Sequence, residues 1–152
     1  MQQLGWVCKS FADLSSYELY EVIKLRNEVF VVEQNCVFQD ADDKDQKCYH
    51  LIGHKGNKLV AYARLVPVGV SYEGIMSIGR VITSPDYRRG GAGRALMQKA
   101  IEQCFLLFGV GDIKIGAQLY LKHFYESFGF EQTSEMYLED DIPHIEMLRK
   151  QA

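Results

Sequence analysis

Seven consecutive residues, Arg88-Arg89-Gly90-Gly91-Ala92-Gly93-Arg94, crowd three arginines and three glycines ahead of an apolar run with helical spacing. Glycine is a poor helix former and neighbouring like charges repel, so a helix gains nothing by starting this way. An anionic ligand gives the pattern a purpose. The unpaired N–H groups of a helix's first turn carry about half a positive charge, and such a terminus binds phosphate. Gly90, Gly91 and Gly93 have no Cβ to hold a ligand oxygen away from those groups. Arg88, Arg89 and Arg94 add cationic, fork-shaped donors. Two familiar phosphate loops do not fit. A Walker A loop requires Gly-Lys-Ser/Thr, whereas Gly93 is followed by Arg94-Ala95; a dinucleotide fingerprint requires a glycine where Leu96 stands.

The elements around this stretch can be read from periodicity. A short strand covers residues 5–11. Leu19, Val22, Ile23, Arg26, Phe30 and Glu33 share one face of a helix over 15–33, with Ser15 or Ser16 as N-cap. Residues 39–47, QDADDKDQK, are too charged to pack and read as a solvated loop. Gly56-Asn57 turns a hairpin between two β-rich runs. Residues 75–83 are almost continuously apolar, as a central strand would be. A helix over 90–108 buries Ala95, Leu96, Ala100, Ile101 and Cys104 and stops at Gly109. A strand at 113–117, a helix at 119–128 and two closing strands complete the order. The pattern is α+β: a mixed, mostly antiparallel sheet of about six or seven strands with helices on both faces.

The totals set limits. The 152 residues suit one domain spanning 1–152. A net charge of -3 argues against nucleic acid as a partner. No run of 18 apolar residues crosses a membrane, and the first residues lack an apolar core of signal-peptide length, so the expected compartment is the cytoplasm. Cys8, Cys36, Cys48 and Cys104 form no CxxC pair and read as free thiols. Cys36, Cys48 and His50 are a weak sketch of a zinc site, and the aspartate run lacks the glycine and glutamate of a calcium loop, so no metal is expected.

What does fit is Arg-x-x-Gly-x-Gly. Together with RVITSPDYRRGGAGRALM and with Tyr125 ahead of Gly129-Phe130 in HFYESFGF, it resembles the GCN5-related N-acetyltransferases (GNAT). LRNEVFVVEQNCVFQDADDKDQKCYHLIG and LEDDIPHIEM resemble the ElaA-like branch of that superfamily. The resemblance implies an acetyl-CoA-dependent N-acetyltransferase acting on a primary amine of a small molecule or peptide by direct attack. It implies a pyrophosphate on residues 88–94 and a pantetheine arm paired with Val81, Ile82 and Thr83. Gln118 stands where many members carry an asparagine that holds the arm. Tyr125 is the expected acid for the leaving thiolate. Glu33 and His50 are the candidate bases, the latter through water. Arg80, inside an apolar strand, needs an acidic partner, with Glu33 and Asp45 as candidates; Arg26 could pair with Glu33 or bind an acceptor carboxylate. The aspartate run could draw in a cationic acceptor; Tyr137 and His144 could line the acceptor site, but as strand residues they read first as packing. A CoA-sensing module without turnover is the alternative, and a homodimer is compatible with either.

Overall fold

Ser15 and Glu18 start the first helix by capping each other. The Ser15 hydroxyl accepts from the Glu18 N–H at 3.0 Å, and the Glu18 carboxylate accepts from the Ser15 N–H at 2.9 Å. In the computed structural model, which describes residues 3–151, α1 covers Ser16–Arg26 and then widens into a π-helical segment, Asn27–Glu33. The expected single α-helix to residue 33 is thus interrupted. Val29, Phe30, Val31 and Val32 are bulky or β-branched at consecutive positions, and the wider turn relieves their crowding. It also lets Arg26 point inward, fully buried, while Phe30, Glu33 and Gln34 face a cleft.

Among the described residues the sheet has eight strands. β1 (Gly5–Ser10) pairs with β2 (Tyr49–Lys55), which forms the expected hairpin with β3 (Lys58–Val66). β4 (Met76–Thr83) follows antiparallel to β3, and β5 (Ile113–Gln118) lies parallel to β4. The tail makes three strands where two were expected: β6 (Phe130–Gln132), β7 (Tyr137–Glu139) and β8 (Ile142–Arg149). The run 130–140 bends at residues 133–136, so β6 and β7 pair with successive parts of β8, whose other edge pairs with β5. α2 (Ala92–Phe108) and α3 (Lys122–Glu126) cover one face. There Leu96, Met97, Ala100 and Cys104 pack on Ala61, Ala63, Leu65, Met76 and Ile78. α1 covers the other face through Val22 and Leu25 on Ile52, Tyr62 and Ile82. All four cysteines are free thiols.

β4 changes phase in mid-strand. Tyr62 faces Ile82 while Arg64 faces Gly79, so β4 carries one residue more than β3 between them. Arg80 sits at this bulge with a left-handed φ of 50°. The extra residue keeps Ile78 and Val81 on the α2 face and turns Ile82 to the α1 face. A left-handed non-glycine residue costs about 1–3 kcal/mol and persists only where its surroundings hold it.

The charged loop supplies that hold, which corrects its reading as solvated. Asp40 and Asp45 are buried. Arg26 Nε donates to Asp40 Oδ2 at 2.6 Å and its Nη1 to Asp45 at 2.9 Å. Arg64 Nη1 donates to Asp42 at 2.8 Å and to Asp45 at 2.9 Å. Arg80 donates from Nη2 to the Asp40 carbonyl at 2.9 Å, and its Nε lies 2.8 Å from Asp40 Oδ1 without the alignment of a hydrogen bond. Arg80 therefore pairs with Asp40 and Asp42 rather than with Glu33 or Asp45, and Arg26 pairs with Asp40 and Asp45. Each aspartate that looked free to attract a cation, Asp43 apart, is spent on an arginine.

Removing one member strands the rest. Arg26→Met should cost about 3 kcal/mol, read as a lower urea midpoint, because it leaves buried carboxylates short of a partner; an unchanged midpoint would deny the network any structural role. Burial alone would raise the Asp42 carboxyl, but the hydrogen bonds and charge of Arg64 outweigh it and hold it well below the usual range. Asp45 is lowered in the same way by Arg26 and Arg64. Their contribution is complete above the ordinary carboxylate value of about 4 and is lost as pH falls below it.

Candidate functional site

β4 and β5 pair through only two residue pairs, Met76 with Ile113 and Ser77 with Lys114. Beyond Ser77 the two strands diverge. From Ile78 onward, the edge of β4 that faces β5 has no strand partner. A cleft of about 590 Å³ opens between them, walled by residues 78–83 and 115–118. Backbone N–H and C=O groups in such a place require a partner. Val81, Ile82 and Thr83, the residues expected to meet a pantetheine arm, lie on this free edge.

The edge leads directly into the glycine-rich turn. The Ser84 N–H donates to the Val60 carbonyl at 2.7 Å and fixes the end of β4. Residues Pro85–Gly90 form a tight 3-10 turn, and Gly91 then caps α2 with φ 80° and no side-chain hydrogen bond. The first-turn N–H groups of Ala92 and Gly93 are thereby left without an intrahelical acceptor. The three glycines are there for different reasons. Gly91 is required by its own left-handed backbone, whatever it does for a ligand. A Cβ on Gly90 would meet no protein atom within 4 Å, and one on Gly93 only Phe124 at 3.7 Å. At those two positions the protein tolerates a side chain, and Gly93 borders the cleft. The donor set and this open cradle fit a pyrophosphate.

The arginines are less uniform than their spacing suggests. Arg88 holds Glu33 in a two-pronged pair, with both N–O distances 2.6 Å. Arg94 turns away, donating to Ser127 Oγ at 2.9 Å with its guanidinium over the Phe128 ring. Arg89 is exposed and has no ion pair or side-chain hydrogen bond among the described residues. Arg89 is thus ready for an anion, and Arg88 only by exchanging Glu33 for it. The hydrogen bonds from Arg88 also lower the Glu33 carboxyl, which weakens it as a base.

Tyr125 is buried against Phe124 and Phe130, yet its side chain borders the cleft. Burial pushes its phenol well above the ordinary value, so it keeps its proton at neutral pH. Among the described residues no hydrogen bond occupies its hydroxyl. Gln118, at the end of β5, exchanges long hydrogen bonds of 3.4 Å with Gln34. His50 is not brought to the cleft. It lies inside the network, with Nδ1 2.7 Å from the Tyr62 hydroxyl and Nε2 2.9 Å from the Asp45 carbonyl. Burial lowers its pKa, and neither nitrogen is free.

A second cavity, of about 440 Å³, opens on the other side of the same gap. The two share Phe30, Gly79, Arg80, Gly116, Gln118 and His144, so they meet where β4 and β5 part. Tyr137 and His144, expected to pack, both border this second cavity. Gln34 and Gly116 went unnoticed as site residues because the pairing of the last strand with β5 is not written in local periodicity. Among the described residues no group of three or more His, Cys, Asp or Glu stands close enough to hold a metal ion, and no helix is long and apolar enough to cross a membrane.

Residues 17–150 match the family model of the acetyltransferase (GNAT) domain. A UPF0039 protein of Schizosaccharomyces pombe is 44% identical over 97% of both chains. An acyl-CoA N-acyltransferase from Pseudomonas aeruginosa superposes with a TM-score of 0.91 at 42% identity, covering 97% of this chain and 99% of that one. The crystal structure of Escherichia coli ElaA gives 0.90 at 40% identity, covering 97% of this chain and 100% of its own.

Proposed function

The chain belongs to the GNAT acetyltransferase family and is an acyl-CoA acyltransferase, and we propose that it moves an acetyl group from acetyl-CoA to a primary amine of a small molecule or peptide. One observation carries this reading. The unpaired edge of β4 ends at a helix terminus with no side-chain cap and with room at Gly90 and Gly93. A ligand with amides along its length and a pyrophosphate at its end satisfies both features at once. Acetyl-CoA supplies an acyl thioester there.

This chain's residues divide the work as follows. Val81, Ile82 and Thr83 offer backbone groups to the amides of the pantetheine arm, and Gln118 stands across the gap. The first-turn N–H groups around Gly91, Ala92 and Gly93 take the pyrophosphate, with Arg89 and a released Arg88 alongside. An N–H near Ile82, beside the bulge, is available to the carbonyl oxygen as negative charge develops on it. Tyr125 holds a proton that burial keeps in place, and it gives that proton to the departing sulfur.

Gly93→Ala separates the cradle from the fold. Alanine should leave the free protein as stable or raise its stability by up to about 1 kcal/mol, while CoA affinity falls at least tenfold, both read by thermal melting with and without CoA. Normal CoA affinity in that variant would refute the cradle. Turnover is tested by thiol release from acetyl-CoA across amines, polyamines, amino acids and peptides. Tyr125→Phe should lower the rate by about a hundredfold and leave CoA binding within twofold; an unchanged rate would remove the acid role. CoA binding with no amine acetylated would favour the sensing module instead.

A further inference from the structure

We propose that His144 is the general base that deprotonates the acceptor amine, an inference that rests on the acetyl-transfer reading above. β8 runs antiparallel to β5 and sets His144 opposite Gln118, at the point where the two cavities meet. The ring is almost buried, stacked on Tyr137 with centroids 5.9 Å apart and planes 27° from parallel. Its Nδ1 lies 2.7 Å from the Ile142 carbonyl oxygen. A carbonyl can only accept, so Nδ1 carries the proton, and in the neutral ring the lone pair is on Nε2. Nε2 lies 3.5 Å from Glu139 Oε2, beyond ordinary hydrogen-bond length. The ring is held by its backbone contact and its stacking, and its acceptor nitrogen is left to the site.

The other candidates are occupied. Glu33 is paired with Arg88, both nitrogens of His50 are engaged, and Asp40, Asp42 and Asp45 serve the arginine network. The charged and titratable groups that border both cavities with His144 are Glu139 of β7 and Arg80 of β4. Tyr137, Asp140, Tyr72, Asp42, Lys44 and Arg64 border the second cavity alone, and Glu33, Arg88, Tyr120 and Tyr125 the first. Among the described residues His144 alone sets a carbonyl-fixed tautomer at the meeting point, with nothing nearer to Nε2 than Glu139 at 3.5 Å.

The step balances. The acceptor ammonium gives one proton to Nε2, which passes it to solvent past the exposed Glu139. The freed lone pair forms the C–N bond to the thioester carbonyl carbon. As the C–S bond breaks, Nε2 takes the second nitrogen proton and releases it to solvent as it did the first, and the thiolate takes one from Tyr125, which solvent restores. The products are an amide, a thiol and one proton in solution.

The test is the pH profile of kcat/KM, using the primary amine that gives the fastest thiol release from acetyl-CoA. His144→Asn keeps an N–H where Nδ1 stands and deletes Nε2. It should lower kcat/KM by about a hundredfold near neutral pH and abolish the acidic limb of the wild-type profile, with CoA-induced thermal stabilisation unchanged. His144→Gln, which fills the ring's space more fully, serves if the asparagine variant does not fold, with the same expectation. A wild-type rate and acidic limb in the folded variant would overturn the inference and leave the acetyl-transfer reading standing. A wild-type protein that acetylates no amine would instead overturn that reading, and the base with it.

Discussion

A strand edge inside a protein cannot be left without hydrogen-bond partners, and β4 has such an edge by construction. Two pairs join it to β5, and then the strands part. Beyond Ser77 the backbone groups that point away from β3 face a cleft instead of a neighbour. The rest of the molecule can be understood as the support of that gap. α2 and α3 close it on one side, and α1 with its π-helical extension closes it on the other. The turn that ends β4 points an uncapped helix terminus along the same line.

Keeping the gap in shape is the task of the buried charges. The bulge at Arg80 is locally unfavourable, and three aspartates from one loop, joined to three arginines from three elements, hold it in place. Such a network need not add net stability over a well-packed apolar core. It does tie the loop 39–47, α1, β3 and β4 into one geometry at the meeting point of the two cavities. That role suits a site in which a carbonyl oxygen must meet a backbone N–H to within a few tenths of an ångström.

Much of the fold was legible in the sequence because it is locally encoded. The Ser15 cap, the Gly56-Asn57 hairpin, the apolar stripe of α2 and the stop at Gly109 are all short-range signals, and the structure has each of them. The glycine-rich turn was legible too, since poor helix formers at a helix start need a reason. What could not be read was long-range. The pairing of Arg26, Arg64 and Arg80 with Asp40, Asp42 and Asp45 spans up to 40 residues, and a charged run looks solvated until its partners are known. His144 sits opposite Gln118 by sheet register alone. The splitting of the tail into β6 and β7 likewise follows from pairing with β8, a partner no local window contains.

Amide hydrogen exchange, with and without CoA, bears most directly on the unpaired edge as a ligand site. Expected is that the β4 amides at residues 78–83 that point away from β3 exchange quickly in the free protein relative to those paired with β3, and that CoA slows them together with the first-turn amides of α2. Protection confined to other surfaces, or none at saturating CoA, would contradict the assignment of this gap to the acyl donor.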